Sequence, residues 1–180
     1  MGMESFNIMA LAEEVKIVND KEYWSLEGKS KFQSSVIDSI IKEFGAIRYN
    51  TYDWILDDCI EIKEYVKEGG FQGIEIRGCL AYLKEGVDLC YELINYMNKQ
   101  VSLDVYIYNE KVEVKDSEQL YAYILQLYKG KIEIFIRQYG DIKLKVTSGN
   151  FYKEIKKRSS WSYKLLHSKA ISRFKKENRK

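Results

Sequence analysis

Residues 51–70, "TYDWILDDCIEIKEYVKEGG", are the stretch whose reading decides the fold. Set at the helical repeat, with successive residues about 100° apart, Asp53, Asp57, Glu61, Glu64 and Glu68 fall within an arc of about 80°. Ile55, Cys59, Ile62 and Val66 occupy a similar arc almost opposite. The pattern predicts a helix from Thr51 or Tyr52 to Glu68, stopped by Gly69-Gly70, with its apolar arc on the core and its acids towards water. Trp54 and Tyr65 flank the acidic row on one side. Leu56, Ile60, Lys63 and Lys67 lie on the other, so the amphipathicity is imperfect.

Such a row is costly by itself. Neighbouring acids at three- and four-residue spacing repel by about 0.2–0.5 kcal/mol per pair in an isolated helix. The helix dipole compensates Asp53 and Asp57 near the N-terminus but aggravates Glu64 and Glu68 near the other end. A basic partner would relieve the strain, either the chain's own cationic C-terminal tail folded back or an external cationic protein surface; the alternative is a solvated face that binds nothing. The expected partner-binding set is therefore Asp53, Trp54, Asp57, Glu61, Glu64, Tyr65 and Glu68, with the two aromatics as anchors.

Upstream, the first 28 residues are ambiguous, with "FNIMALA" and "VKIVND" as candidate strands and "EYWSLEG" as a candidate return. Ser30 and Gln33 have capping-box spacing before a helix carrying Val36, Ile37, Ile40, Ile41 and Phe44, stopped by Gly45. Downstream, "FQGIEIRG" alternates as a strand, and "EGVDLCYELINYMNK" has a helical apolar face. "VSLDVYIYNEKVEV" reads as a hairpin turning near Asn109-Glu110. Asp116 and Gln119 cap a further helix, "SEQLYAYILQLYK", ended by Gly130, and "KIEIFIRQYGDIKLKV" alternates as two strands joined near Tyr139-Gly140-Asp141. The fold class expected is α+β: a mostly antiparallel sheet built from hairpins, packed against about four helices, with a basic, helical C-terminal tail.

At 180 residues the chain suits one domain, or one domain with an appendage, long enough to bury a core without metal or disulfide staples. Net charge is +2, but unevenly distributed. Residues 153–180 hold eleven Lys+Arg and two acids, or +9; residues 1–152 hold 18 bases and 25 acids, or −7. The division expected is an acidic α+β domain over 1–152 and a basic extension over 153–180. In that extension Lys156, Lys157, Arg158, Trp161, Lys164, Lys169, Arg173, Lys175 and Lys176 form a possible nucleic-acid-binding set, cations for phosphates and Trp161 for stacking. The body's negative charge opposes a polyanion, so nucleic acid ranks below a basic protein surface as partner.

Motifs for chemistry are sparse. "EGKS" at Glu27–Ser30 imitates the end of a phosphate-binding loop, but Tyr23 stands where the motif needs its first glycine. His167 is the lone histidine, and Cys59, Cys79 and Cys90 lack ligand spacing, so no metal, cofactor or catalytic residue is assigned. Cys79, at a strand end, and a hidden carboxylate pair remain the candidates for an enzyme reading. Glu75 and Arg77 share one side of their strand as a solvated face. With no signal segment or membrane span in the sequence, the expectation is a cytoplasmic, non-enzymatic protein masking a basic partner, as antitoxins and toxin-immunity proteins do; that comparison is an analogy of charge and size.

Overall fold

The computed structural model describes residues 5–140, apart from 21–22, 58–59, 81–82, 109 and 113–115. Its elements are β1 (Ser5–Ala12), β2 (Lys16–Asp20), β3 (Tyr23–Glu27), α1 (Ser34–Glu43), β4 (Ile47–Arg48), β5 (Asp53–Leu56), β6 (Ile60–Lys67), β7 (Gly70–Cys79), α2 (Leu83–Asn98), β8 (Leu103–Ile107), β9 (Glu110–Val112) and α3 (Ser117–Tyr139). Seven strands form one antiparallel sheet in the order β4-β5-β6-β7-β1-β8-β9, and β2 and β3 form a separate hairpin. This is an α+β architecture.

The decisive stretch is not helical. Residues 53–56 and 60–67 are adjacent strands, paired Asp53↔Lys63, Trp54↔Ile62, Ile55↔Glu61 and Leu56↔Ile60. Ile60 and Ile62 alternate with Glu61 and Lys63 at period two, against the helical spacing of Ile55, Ile62 and Val66, and Trp54, Ile55, Ile60, Ile62, Tyr65 and Val66 are aromatic or β-branched types that suit a pleated surface. Asp57, at φ 48°, breaks the segment. At the far end the β6–β7 hairpin closes on Glu68-Gly69, between the paired Lys67 and Gly70. Their φ values of 51° and 77° are those of a two-residue turn whose twist matches the flanking strands. Gly69 therefore ends a strand, where the helical reading made it a helix stop.

Two further expectations change. α1 starts at Ser34, and Ser30 does not cap it, because residues 30–34 run beside the start of β7. Ser30 N donates to Phe71 O at 2.8 Å, Phe71 N to Phe32 O at 3.0 Å and Ser34 N to Gly69 O at 3.1 Å. α3 continues through Gly130 to Tyr139, so Ile132, Ile134 and Ile136 lie on a helix, not a strand. Gly130 costs a helix about 1 kcal/mol, and burial of Leu127, Tyr128 and Phe135 on one side carries the helix past it. The described residues thus hold three helices, not four. Asp116 does cap α3, accepting from Gln119 N at 2.8 Å.

One face of the sheet meets the helices. Phe6, Ile8, Ala10, Ile60, Ile62, Ile74, Ile76 and Val105 point there and are buried. Phe6 reaches Tyr128 of α3 edge-on, with ring centroids 5.7 Å apart. The Phe6 ring lies over its cross-strand neighbour Gly78, where a Cβ would stand 2.2 Å from Cζ. The opposite face carries a polar ladder. Tyr49 Oη donates to Glu61, Arg77 Nη1 donates to Glu61 at 3.3 Å and Arg77 Nε to Ser5 Oγ at 3.1 Å. Alongside, Asn7 and Tyr65 donate to Glu75 at 2.9 and 2.8 Å. Glu75 and Arg77 share a side, as the alternation predicts, but half-buried within this network and not freely solvated.

Candidate functional site

Strand alternation scatters the seven expected partner-binding residues. Trp54, Glu61 and Glu64 are only 2%, 4% and 2% exposed. Glu64 and Trp54 point to the helix face, whereas Asp53, Glu61 and Tyr65 point to the polar-ladder face. Asp57 is exposed at a turn, and Glu68 is exposed in its own hairpin, paired with Lys29 at 3.0 Å. These five acids form no outward ridge: Asp57 and Glu68 sit in turns, and the odd spacing of Glu61 and Glu64 sends those two to opposite faces, both buried. The basic set from Lys156 to Lys176, His167 and Cys59 lie outside the described residues. Cys79 is fully buried at the end of β7.

The structure does bring Trp54 and Glu64 together, beside residues the sequence did not single out. Arg48 of β4 pairs with Trp54 across the sheet edge, and its guanidinium carbon sits 4.3 Å from the indole centroid. Arg48 also forms an ion pair with Asp38 of α1 and lies 3.8 Å from Glu64 Oε1. Trp54 Nε1 donates to Glu64 Oε1, and Ser34 Oγ donates to Glu64 Oε2 at 3.1 Å. Asp38 and Glu64 thus face the same guanidinium, which brings their carboxyl groups close to one another. Burial, reinforced by the Asp38 carboxylate, pushes the Glu64 carboxyl up to about 7, although the Trp54 and Ser34 hydrogen bonds oppose the rise.

Above this cluster lies an open groove of about 540 Å³, lined by Ser35, Asp38, Ser39 and Lys42 of α1 and by Ala46, Ile47, Arg48 and Trp54. The local sequence explains it. α1 turns Ile37, Ile40 and Ile41 to the core, which leaves Ser35, Asp38, Ser39 and Lys42 on its sheet-edge side. β4 is only two residues long, and among the described residues no further strand closes over α1 and β5. Ile47 in the groove, Val36 on α1 and Tyr52 in the β4–β5 turn are exposed hydrophobics at this end of the molecule.

The "EGKS" segment is structural. Gly28, at φ 94°, backs onto the Glu14 carbonyl, which a Cβ would approach to 2.3 Å, and Gln72 Nε2 donates to the Gly28 carbonyl at 2.8 Å. Among the described residues no group of three or more His, Cys, Asp or Glu side chains is placed to hold a metal ion. Nor is any helix among them long and apolar enough to cross a membrane.

Sequence reasoning could have found Arg48 only by treating residues 47–55 as a hairpin, since its partners come from α1, β5 and β6. Asp38 is detectable as the one charged residue among the serines and aliphatics of Ser34–Ile41 in α1. Compared with protein-family models, curated proteins and solved structures, the chain finds no match.

Proposed function

We propose that the chain is a non-enzymatic binding module that meets a protein partner at the β4 edge of the sheet, along the groove between α1 and β4. The observation that carries this reading is the groove's construction. A short edge strand with exposed Ile47 and Arg48 borders it, and the floor is an Arg48–Trp54 stack held by hydrogen bonds beneath. Stacked Arg–Trp pairs are the side-chain types that anchor interfaces. An open strand edge offers backbone groups to an extended segment of a partner.

Binding is favoured over catalysis because the carboxyl pair in this region is committed to internal contacts. Both Glu64 oxygens accept hydrogen bonds from Trp54 and Ser34, and its side chain has no exposure to solvent. The excess of seven acids in residues 1–152 favours a partner of net positive charge, by long-range steering and not by an acidic ridge. A masking, immunity-like role is the form of binding this reading takes.

The test is site-specific photocrosslinking in the native host cell. A photoreactive phenylalanine analogue replaces Ile47 in one protein and Lys99, at the end of α2, in another. The expected result is a discrete adduct with a basic protein from position 47 alone, lost on Ser39→Arg, which puts a like charge into the groove at an exposed helix position, with thermal unfolding little changed. Equal adduct patterns from both positions would refute the reading.

A further inference from the structure

The groove rests on a second arrangement with consequences of its own. Glu64 is enclosed by four elements. α1 supplies Ser34 and Asp38, with Lys42 further along the groove; β4 supplies Arg48; β5 supplies Trp54; β7 presents the apolar Ile74 opposite Glu64. The Glu64 backbone N–H donates to the Tyr52 carbonyl at 2.7 Å, which fixes the residue in place. Lys63 and Tyr65 point to the other face of the sheet. Within this enclosure two carboxyl groups meet one guanidinium.

We propose that Asp38 and Glu64 form a proton-operated clasp that fastens α1 to the sheet and sets the width of the groove. With one proton on Glu64, its hydroxyl donates to the Asp38 carboxylate, and the pair carries a single negative charge that Arg48 matches. When the proton leaves to solvent through the groove, two adjacent carboxylates face one cation. The repulsion falls between α1 and β6, the contact the proton had bridged, and α1 backs away from Trp54. The raised affinity of Glu64 for its proton puts this change near neutral pH. The clasp rests on the binding reading only for what it regulates; its own chemistry belongs to the free protein.

The experiment uses the full chain, carbon-13-labelled at glutamate side-chain carboxyls and followed by NMR from pH 5 to 9. Amide exchange along α1 is read in parallel as protection factors, which remove the intrinsic pH dependence of exchange. The expected result is one carboxyl titrating near neutrality, absent in Glu64→Gln, with α1 protection falling at least about tenfold over the same interval, the equivalent of one pK unit. Glu64→Gln should hold α1 protected throughout, since its amide N–H donates to Asp38 as the protonated acid does. Should that variant not fold, Asp38→Asn serves: it removes the second charge, and Glu64 should titrate lower without loss of α1 protection. A Glu64 that titrates in the ordinary carboxylate range, or α1 protection constant through its titration, would overturn the clasp. Loss of the Ile47 adduct, with the titration and the coupled exchange intact, would refute the binding reading alone.

Discussion

Trp54 reaches Glu64 diagonally across the β5–β6 pair: its register partner is Ile62, and the indole N–H extends one pleat further to the carboxyl. Diagonal neighbours on one face of a sheet are about 7–8 Å apart at their backbones, within the span of an indole. Trp54→Phe keeps the ring but leaves the buried carboxyl without this donor. We expect a loss of about 1–3 kcal/mol in urea unfolding, and a Glu64 carboxyl pushed further up because a hydrogen bond favouring its ionised form is gone.

Stability should fall as pH rises through neutrality. Glu64 binds its proton more tightly folded, at about 7, than its ordinary value of 4.5. The contribution is fully present below the unfolded value and is lost as pH climbs through the folded one. The full shift corresponds to ~3 kcal/mol. Urea midpoints at pH 5.5 and 8.5 should differ in the wild type and converge in Glu64→Gln; parallel slopes in the two proteins would contradict the assignment.

Arg48→Met keeps a long side chain over the Trp54 ring but removes the charge that neutralises Asp38 and Glu64. The expected outcome is a Glu64 carboxyl pushed above its position in the wild type, read by the same carboxyl NMR. The cation–π contact with Trp54 is worth about 0.5–1 kcal/mol at a partly exposed site and is lost as well.

Gly78→Ala tests the packing of Phe6. A methyl group at residue 78 meets the ring at 2.2 Å, and the ring sits between β7 and the α2–α3 layer with little room to retreat. Overpacking of this kind costs about 1–3 kcal/mol. The thermal midpoint should drop, and Phe6→Leu in the same chain should recover part of it.

Much of the fold was legible, for identifiable reasons. α2 was readable because Val87, Cys90, Ile94 and Met97 repeat only at helical spacing. β7 was readable because Ile74 and Ile76 alternate with Glu75 and Arg77. Residues 53–67 were not, since Ile55, Ile62 and Val66 keep helical spacing while Ile60 and Ile62 alternate with Glu61 and Lys63, and the arbiter is tertiary. β6 fills the place beside β7, over register pairs running from Ile60↔Gly78 to Lys67↔Gly70. The second half of α3 fails in the opposite sense: alternating isoleucines look like a strand until Phe135 and Tyr128 are seen buried on one helical side. The site was half-legible. Trp54 and Glu64 stood out for a charge pattern that does not exist, and Asp38 and Arg48 join them only through the packing of α1 against the sheet edge.

Among the described residues the strand at the α1 margin of the sheet is very short: β4 spans Ile47–Arg48. A stub of two residues presents too few unpaired amides to template indefinite stacking of one copy on another, so this margin is poorly suited to polymerisation. The same brevity filters visitors. A passing extended chain gains little from backbone pairing at β4 and must also seat side chains beside α1 to stay, which makes the margin selective where a longer strand would be promiscuous.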